Sequence, residues 1–316
     1  MGASKSRSNA ANSTATVESN KQANDNIFVR LKNIIAAASD EQLKQWQQEI
    51  DQLENDDYEK GCSTQGISHP LLAELCHFVT ANHPEWTGYD FCNKYVKPIT
   101  EQFQCSLLNL LKVVVPAAMG TTMTSVSKQA TIFVSHAWSY CNRRLLSCLV
   151  DLDNAEKEFF WIDTLTVTQH ERADKPSRDF NWWCVTFQKS VKTIGRTVLV
   201  LQPYTEPVPL RRSWCLFEIF CTHEAGVQLD ILLDKEELQR FGEALVSGRF
   251  DFENWVAKID LATSKAGKDT DRERILTQVN KSTGGVHRLN GVVTNLLRDW
   301  FETTGRAVTA RGGESA

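Results

Sequence analysis

Residues 131–137 read TIFVSHA, a short apolar run that ends in polar residues. β-Branched and aromatic side chains fill its middle, which is typical of a strand buried on both faces. A helical pattern, YCNRRLLSCLVDL at residues 140–152, follows after a short connection. The run therefore predicts the first strand of an α/β domain.

The same alternation of apolar runs and helical patterns continues along the chain. We predict neighbouring parallel strands at residues 131–136, 159–163, 197–202 and 228–233, with AKIDLAT at 257–263 as a candidate fifth strand. Buried strands that alternate with helices form a parallel sheet covered on both faces. The short first connection favours a flavodoxin-like doubly wound order.

The sequence outside these strands divides into three further regions. Residues 1–25 contain almost no large apolar side chain, so we expect disorder there. Residues 26–128 predict a helical region, residues 129–302 the α/β domain, and residues 303–316 a polar tail. Two pairs have the spacing of helix N-terminal caps, namely Ser39 with Gln42 and Thr270 with Glu273.

The composition excludes several classes of function. The formal net charge of −4 gives no reason to expect nucleic-acid binding through a basic surface. The nine cysteines include no CxxC pair and no zinc spacing with histidine, so we expect no metal site. An odd number of cysteines without a secretory signal indicates a reducing compartment, and we expect a cytoplasmic protein.

The first six residues, MGASKS, match the pattern for N-myristoylation of Gly2. Lys5 and Arg7 would add attraction to anionic lipid. One acyl chain binds membranes only marginally, so an acylated Gly2 would give weak, peripheral contact with the cytosolic face of a membrane.

Polar residues follow three of the predicted strands. In a doubly wound sheet the carboxyl ends of the strands meet at one crevice, where ligands bind. We therefore expect a site built from three segments: residues 135–138 (SHAW), residues 163–170 and residues 211–218 (RRSWCLFE).

Glu218 is the most informative carboxylate in this crevice. If Ser213 is the N-cap, Glu218 lies in the second turn of its helix, on the face of Trp214. A carboxylate beside an indole at a crevice can act as an acid, a base or a stabiliser of positive charge. The alternative is an exposed glutamate paired with Arg211 or Arg212.

Several of these segments resemble one family. Residues 213–219, SWCLFEI, resemble the Trp-Cys-Leu-x-Glu-Leu segment of plant-type TIR domains, and residues 133–136, FVSH, resemble the opening strand of TIR and TIR-like domains. The chain is similar to protist and algal proteins with a KPxT lead-in, here residues 97–100, a "FVSHAW" strand and a "RxWCLxE" helix. The resemblance covers roughly residues 90–302.

The resemblance implies a signalling role and a reaction. In TIR domains that cleave NAD+, the glutamate of this segment is catalytic, and by motif it is Glu218 here. No cofactor is implied, because NAD+ would be the substrate. Around Glu218 we expect contacts with the substrate from these residues: Ser135, His136, Trp138, Asp163 and Trp214.

Two other interpretations remain open at this stage. The domain could be a TIR-type scaffold that acts through self-association. Alternatively, His136, supported by Asp163, could activate Cys215 as the nucleophile of a thiol hydrolase. His170 and the pair Trp182 and Trp183 are expected to serve in loop and core packing.

Overall fold

Strand β3 (Ile132–Ser135) lies in the interior of a six-stranded mixed sheet. The computed structural model describes residues 26–59, 63–171 and 179–313. Gly2 and the predicted disordered segment 1–25 lie outside the described residues. All four residues of β3 are buried, as the apolar run TIFVSHA predicts.

The four predicted parallel strands are confirmed. Strand β3 pairs in parallel with β4 (Phe159–Trp161) and β5 (Arg196–Val200), and β5 pairs in parallel with β6 (Gln228–Leu232). Their order across the sheet is β4-β3-β5-β6. The carboxyl ends of all four strands therefore lie at the same edge of the sheet.

Two antiparallel strands complete the sheet, and both come from the region predicted to be helical. β1 (Gln65–Ser68) pairs with β4, and β2 (Ser127–Gln129) pairs with β1. The expectation of a purely parallel sheet is wrong at this edge. Each strand is at most four residues long and neither has an apolar alternation, so backbone pairing with a distant strand creates them rather than a local pattern.

Helices surround the sheet. Those that precede β3 are α1 (Ile27–Ala37), α2 (Asp40–Glu59), α3 (His69–Asn82), α4 (Gly88–Phe91), α5 (Lys97–Thr100), α6 (Leu107–Met119) and α7 (Met123–Val126), with a π-helical turn at Cys92–Val96. Those that follow β3 are α8 (Asn142–Val150), α9 (Asp163–Thr166), α10 (Phe180–Ile194), α11 (Ser213–Glu224), α12 (Lys235–Val246), α13 (Phe252–Val256), α14 (Asp269–Asn280) and α15 (Gly285–Gly313). Three 3₁₀ turns occur at Ala155–Lys157, Val208–Arg211 and Leu261–Thr263.

The two faces of β3 enter two different cores. Ile132 and Val134 pack in a core with side chains of α1, α3, α6 and α8, while Phe133 packs in a core with α10, α11, α14 and α15. Because successive side chains of a strand point to opposite faces, Ser135 follows Phe133 toward α11. The helices of residues 26–128 thus share a core with the sheet and cover one of its faces.

Local signals in the sequence give mixed results. The capping box is confirmed, since Ser39 Oγ accepts from the Gln42 amide at 3.2 Å and Gln42 Oε1 accepts from the Ser39 amide at 3.0 Å. The second predicted cap is wrong, because α14 begins at Asp269, before Thr270, without a side-chain cap.

The candidate fifth strand is also wrong. AKIDLAT forms a 3₁₀ turn at Leu261–Thr263 instead of a fifth strand. Asp260 accounts for this, because its carboxylate accepts hydrogen bonds from the Ala262 amide and from Asn290 of α15, which closes a turn. The polar tail is helical as far as Gly313, the end of α15.

Gly66 tests the close contact between β1 and β4. A Cβ atom at this position would lie 2.8 Å from the backbone of Phe159 and of Phe160. We expect Gly66→Ala to lower the free energy of unfolding by about 1–3 kcal/mol, measured by urea denaturation, because backbone must move to make room. Gly291→Ala is the matched control, since a Cβ there meets nothing within 4 Å. Equal stability of Gly66→Ala and wild type would contradict the described pairing of β1 with β4.

Candidate functional site

Glu218 lies on α11, which is packed against the sheet over most of its length. Nine of its residues are buried, including Cys215, Phe217 and Glu218, so the packing of this helix holds Glu218 away from solvent. Its first turn is fixed by two contacts with the segment before α14: the Ser213 amide donates to the Lys265 carbonyl at 3.0 Å, and the hydroxyls of Ser213 and Ser264 are 2.7 Å apart.

The Glu218 carboxyl is buried, with 8% of the residue exposed. Ser135, at the end of β3, donates its hydroxyl to Glu218 Oε2 at 2.5 Å. Burial raises the pKa of Glu218 to about 8, although the Ser135 hydroxyl opposes the rise. The folded protein therefore holds this carboxyl largely protonated at neutral pH.

A cavity of about 490 Å³ opens above Glu218 at the carboxyl edge of the sheet. Its volume is within the range of small-molecule sites. Aromatic rings, carboxylates and two cationic side chains line it: Tyr89, His136, Trp138, Asp163, Gln169, Trp183, Phe187, Arg212, Trp214, Cys215, Glu218, Gly267, Lys268 and Asp271.

Asp163 organises the residues that follow β3. The indole nitrogen of Trp138 donates to Asp163 Oδ2 at 2.9 Å, and His136 Nε2 lies 3.7 Å from Asp163 Oδ1. Gln169 donates to the Asp163 carbonyl at 3.1 Å and thereby holds the loop after β4 against the cavity. The predicted convergence of residues 135–138 with Asp163 is present.

His136 is buried and Nε2 has no hydrogen-bond partner within the described residues. Desolvation lowers the pKa of His136, although Asp163 and a hydrogen bond with the Val134 backbone oppose the shift. A neutral imidazole that donates its Nδ1 proton to this backbone presents Nε2 as an acceptor. His136 is therefore a neutral side chain beside the cavity with one ring nitrogen that has no hydrogen-bond partner within the described residues.

Cys215 is not placed as an activated nucleophile. Its thiol donates to the backbone carbonyl of His136 at 3.4 Å rather than to the imidazole ring. Desolvation raises the pKa of this thiol well above its ordinary value, and the neighbouring Glu218 adds to the rise. The thiolate that nucleophilic catalysis requires is thus disfavoured.

The predicted site residues come together, with one change of role. His136, Trp138, Asp163, Trp214 and Glu218 all line the cavity. Ser135 is fully buried behind Glu218 and holds the carboxyl instead of forming a wall.

One sequence expectation about α11 is wrong. Ser213 is the first helical residue and Arg212 is the N-cap. Trp182 and Trp183 pack against the core as expected, and Trp183 also lines the cavity. The His170 ring forms a hydrogen bond with Thr100 at 2.8 Å, in agreement with a loop role.

The sequence pattern missed Tyr89 and Lys268. Tyr89 belongs to α4, more than 40 positions before β3, and Lys268 immediately precedes α14. Nothing in their local sequence indicates a site, because only the fold brings them to the cavity. A second cavity, of about 470 Å³, lies between α10, α11 and α14, but its charged residues are exposed: Lys192, Glu224 and Lys281.

Other kinds of site find no support within the described residues. No group of three or more His, Cys, Asp and Glu side chains is arranged to hold a metal ion. None of the described helices has the length and apolarity needed to cross a membrane. Comparison with protein-family models, with curated proteins and with solved structures finds no match to this chain.

The buried carboxyl makes stability depend on pH. The pKa of Glu218 is raised to about 8 in the folded state. The protonated carboxyl therefore contributes to the free energy of unfolding in full below its unfolded pKa, and this contribution is lost as pH rises through about 8. Between about pH 5 and 8, we expect the free energy of unfolding of Glu218→Gln to increase relative to that of wild type by on the order of 1 kcal/mol for each unit that pH rises. Urea denaturation across this range measures it.

The control is Glu224→Gln, the same chemical change at an exposed position of the same helix. If the difference from wild type varies with pH no more for Glu218→Gln than for Glu224→Gln, the Glu218 carboxyl does not carry the raised pKa.

Proposed function

We propose that this chain is a TIR-like signalling protein that cleaves NAD⁺ at the bond between nicotinamide and ribose, with Glu218 as the catalytic residue. One observation carries the proposal: a carboxyl held by Ser135 lies at a cavity lined by aromatic rings. The resemblance of residues 213–219 to the catalytic segment of NAD⁺-cleaving TIR domains supports the same assignment.

The chemistry requires a negative charge beside the ribose. When the glycosidic bond breaks, its electron pair moves to the ring nitrogen of nicotinamide, which becomes neutral, and positive charge develops on the ribose. A fixed carboxylate that faces this charge lowers the barrier, as in the cleavage of glycosides. The leaving group needs no proton, so a single carboxylate can carry the first step.

Glu218 must lose its proton before this step. The pyridinium of NAD⁺ is itself a cation, and an adjacent cation favours the ionised form of a carboxyl. Binding of NAD⁺ would thus lower the pKa of Glu218 from its raised value of about 8 and release a proton. Substrate binding and activation of the catalytic group are coupled in this way.

Water completes the reaction by adding to the ribose. His136, whose side chain borders the cavity beside Asp163, is the candidate general base for this water. The balanced reaction consumes NAD⁺ and water and yields nicotinamide, ADP-ribose and a proton.

The finer fold assignment belongs to the same proposal. A TIR-like, flavodoxin-like fold is supported by the strand order β4-β3-β5-β6 and by a cavity formed after β3, β4 and β5. We propose a cytoplasmic location, at the cytosolic face of a membrane if Gly2 is acylated.

The scaffold interpretation assigns Glu218 a structural role. A carboxylate sealed by an arginine would serve structure rather than catalysis. Arg211 pairs with Glu206, and Arg212 lowers the pKa of Glu218 through its charge but forms no ion pair with it within the described residues, which favours the enzyme. If the wild-type protein releases no nicotinamide from NAD⁺, a scaffold that acts through self-association of the TIR-like domain is the better explanation.

Substitution at Glu218 tests the catalytic role. Glu218→Gln keeps shape and hydrogen bonding but removes the charge, so we expect nicotinamide release from NAD⁺ to fall by about 10²–10³. Cys215→Ser should retain most activity, because the thiol only donates to a backbone carbonyl. Chromatographic assay of nicotinamide measures both, with Glu224→Gln as the control for the chemical change.

The opposite ranking would overturn the assignment. If Cys215→Ser abolishes turnover and Glu218→Gln spares it, the thiol hydrolase is the better account.

A further inference from the structure

Two cationic side chains line the cavity beside Glu218. Arg212 and Lys268 are the residues that precede α11 and α14, and neither helix has a side-chain hydrogen bond at its N-terminus. Within the described residues, neither Arg212 nor Lys268 forms an ion pair, because no carboxylate oxygen lies within 4 Å of their side-chain nitrogens. The positive ends of two helix dipoles and two cations thus meet at one wall.

Arg212 is positioned by Tyr89, a residue of α4 in the helical region that precedes β3. Its Nη1 donates to the hydroxyl of Tyr89 at 3.2 Å. The Tyr89 ring lies edge-on to Trp138, with the ring centres 5.5 Å apart. Although Tyr89 is 42% exposed, these two contacts fix it at the edge of the cavity.

The backbone around Tyr89 reinforces this position. The Tyr89 amide donates to the Trp138 carbonyl at 3.0 Å, and the Gly88 amide donates to the Tyr140 carbonyl at 3.1 Å. A Cβ at Gly88 would lie 2.9 Å from the Trp138 carbonyl oxygen, so only glycine allows this approach. The segment that bears Tyr89 is therefore attached to the loop that bears Trp138.

His136 independently indicates a ligand at this cavity. Its Nε2 is buried, lies 3.7 Å from Asp163 Oδ1 and has no hydrogen-bond partner within the described residues, so a polar group beside the cavity is left unsatisfied. The side chains of Asp163 and Asp271 line the same cavity as Arg212 and Lys268, so its wall contains both acidic and basic groups. A ligand that offers hydroxyl groups and a negative charge separately, as a sugar phosphate does, matches both features.

We propose that Arg212, aimed by Tyr89, binds a phosphate group of a nucleotide substrate together with Lys268. Tyr89 is then a positioning residue that acts through Arg212. This inference rests on the proposed function and specifies its substrate: NAD⁺ should be preferred to nicotinamide riboside, which carries the same scissile bond without phosphate.

Four variants test the proposal in pairs. Arg212→Gln is compared with Arg211→Gln, because Arg211 is exposed and pairs with Glu206 outside the cavity. Tyr89→Phe, which keeps the ring and removes the hydroxyl, is compared with Tyr204→Phe at a position outside the cavity lining.

The readouts are kcat and KM for nicotinamide release from NAD⁺ and from nicotinamide riboside. We expect Arg212→Gln to raise KM for NAD⁺ by about 10- to 100-fold, and Tyr89→Phe to raise it by about three- to tenfold, with smaller changes in kcat. The KM for nicotinamide riboside should rise much less than the KM for NAD⁺ in both variants, because this substrate has no phosphate, whereas loss of the Arg212 charge near Glu218 affects both substrates. A merely structural defect would impair both substrates equally.

Calorimetric titration with ADP-ribose separates this inference from the proposed reaction. If wild type binds ADP-ribose and Arg212→Gln binds it more weakly, the phosphate site stands even when no nicotinamide is released. If NAD⁺ is cleaved but neither Arg212→Gln nor Tyr89→Phe changes KM or ADP-ribose affinity beyond its control, the phosphate site is wrong and the reaction stands. Absence of ADP-ribose binding by wild type also overturns the phosphate site.

Discussion

The hydrogen bond between Ser135 and Glu218 is the contact on which the site depends. It joins the end of β3 to the second turn of α11 and holds a carboxyl that the fold removes from solvent. A buried carboxyl with one hydrogen-bond partner destabilises the folded protein when it ionises. Such an arrangement is typical of groups whose protonation state serves a function, and it is the physical basis for assigning a role to Glu218.

The site also depends on parts of the chain far from the parallel strands. The helices of residues 26–128 cover one face of the sheet, and their α4 supplies Tyr89. Backbone hydrogen bonds tie that segment to the loop after β3, so the position of Trp138 depends on it. The parallel strands alone would leave one face of β3 uncovered and one side of the cavity missing.

The sequence predicts elements whose signal is local. Continuous apolar runs identified β3, β4 and β5, because strands buried on both faces need apolar side chains at nearly every position. Glu218 was found because a crevice at the carboxyl edge of a sheet follows from topology. By contrast, β1 and β2 are short strands stabilised by backbone pairing, such as that of Gln65 with Gln129, which no local pattern reveals. Tyr89 and Arg212 meet across 123 positions, so their contact could not be read from either segment.

The pH dependence of kcat/KM for NAD⁺ cleavage tests the central claim most directly, because this parameter reports ionisations of the free enzyme. With the pKa of Glu218 raised to about 8, kcat/KM should rise about tenfold per pH unit below that value and level off above it. The rate of nicotinamide release by Glu218→Gln is subtracted from that of wild type at each pH. A difference with this profile supports an ionised Glu218 as the catalytic group. A profile that is flat or falls with pH, or no release by the wild type, would contradict the account.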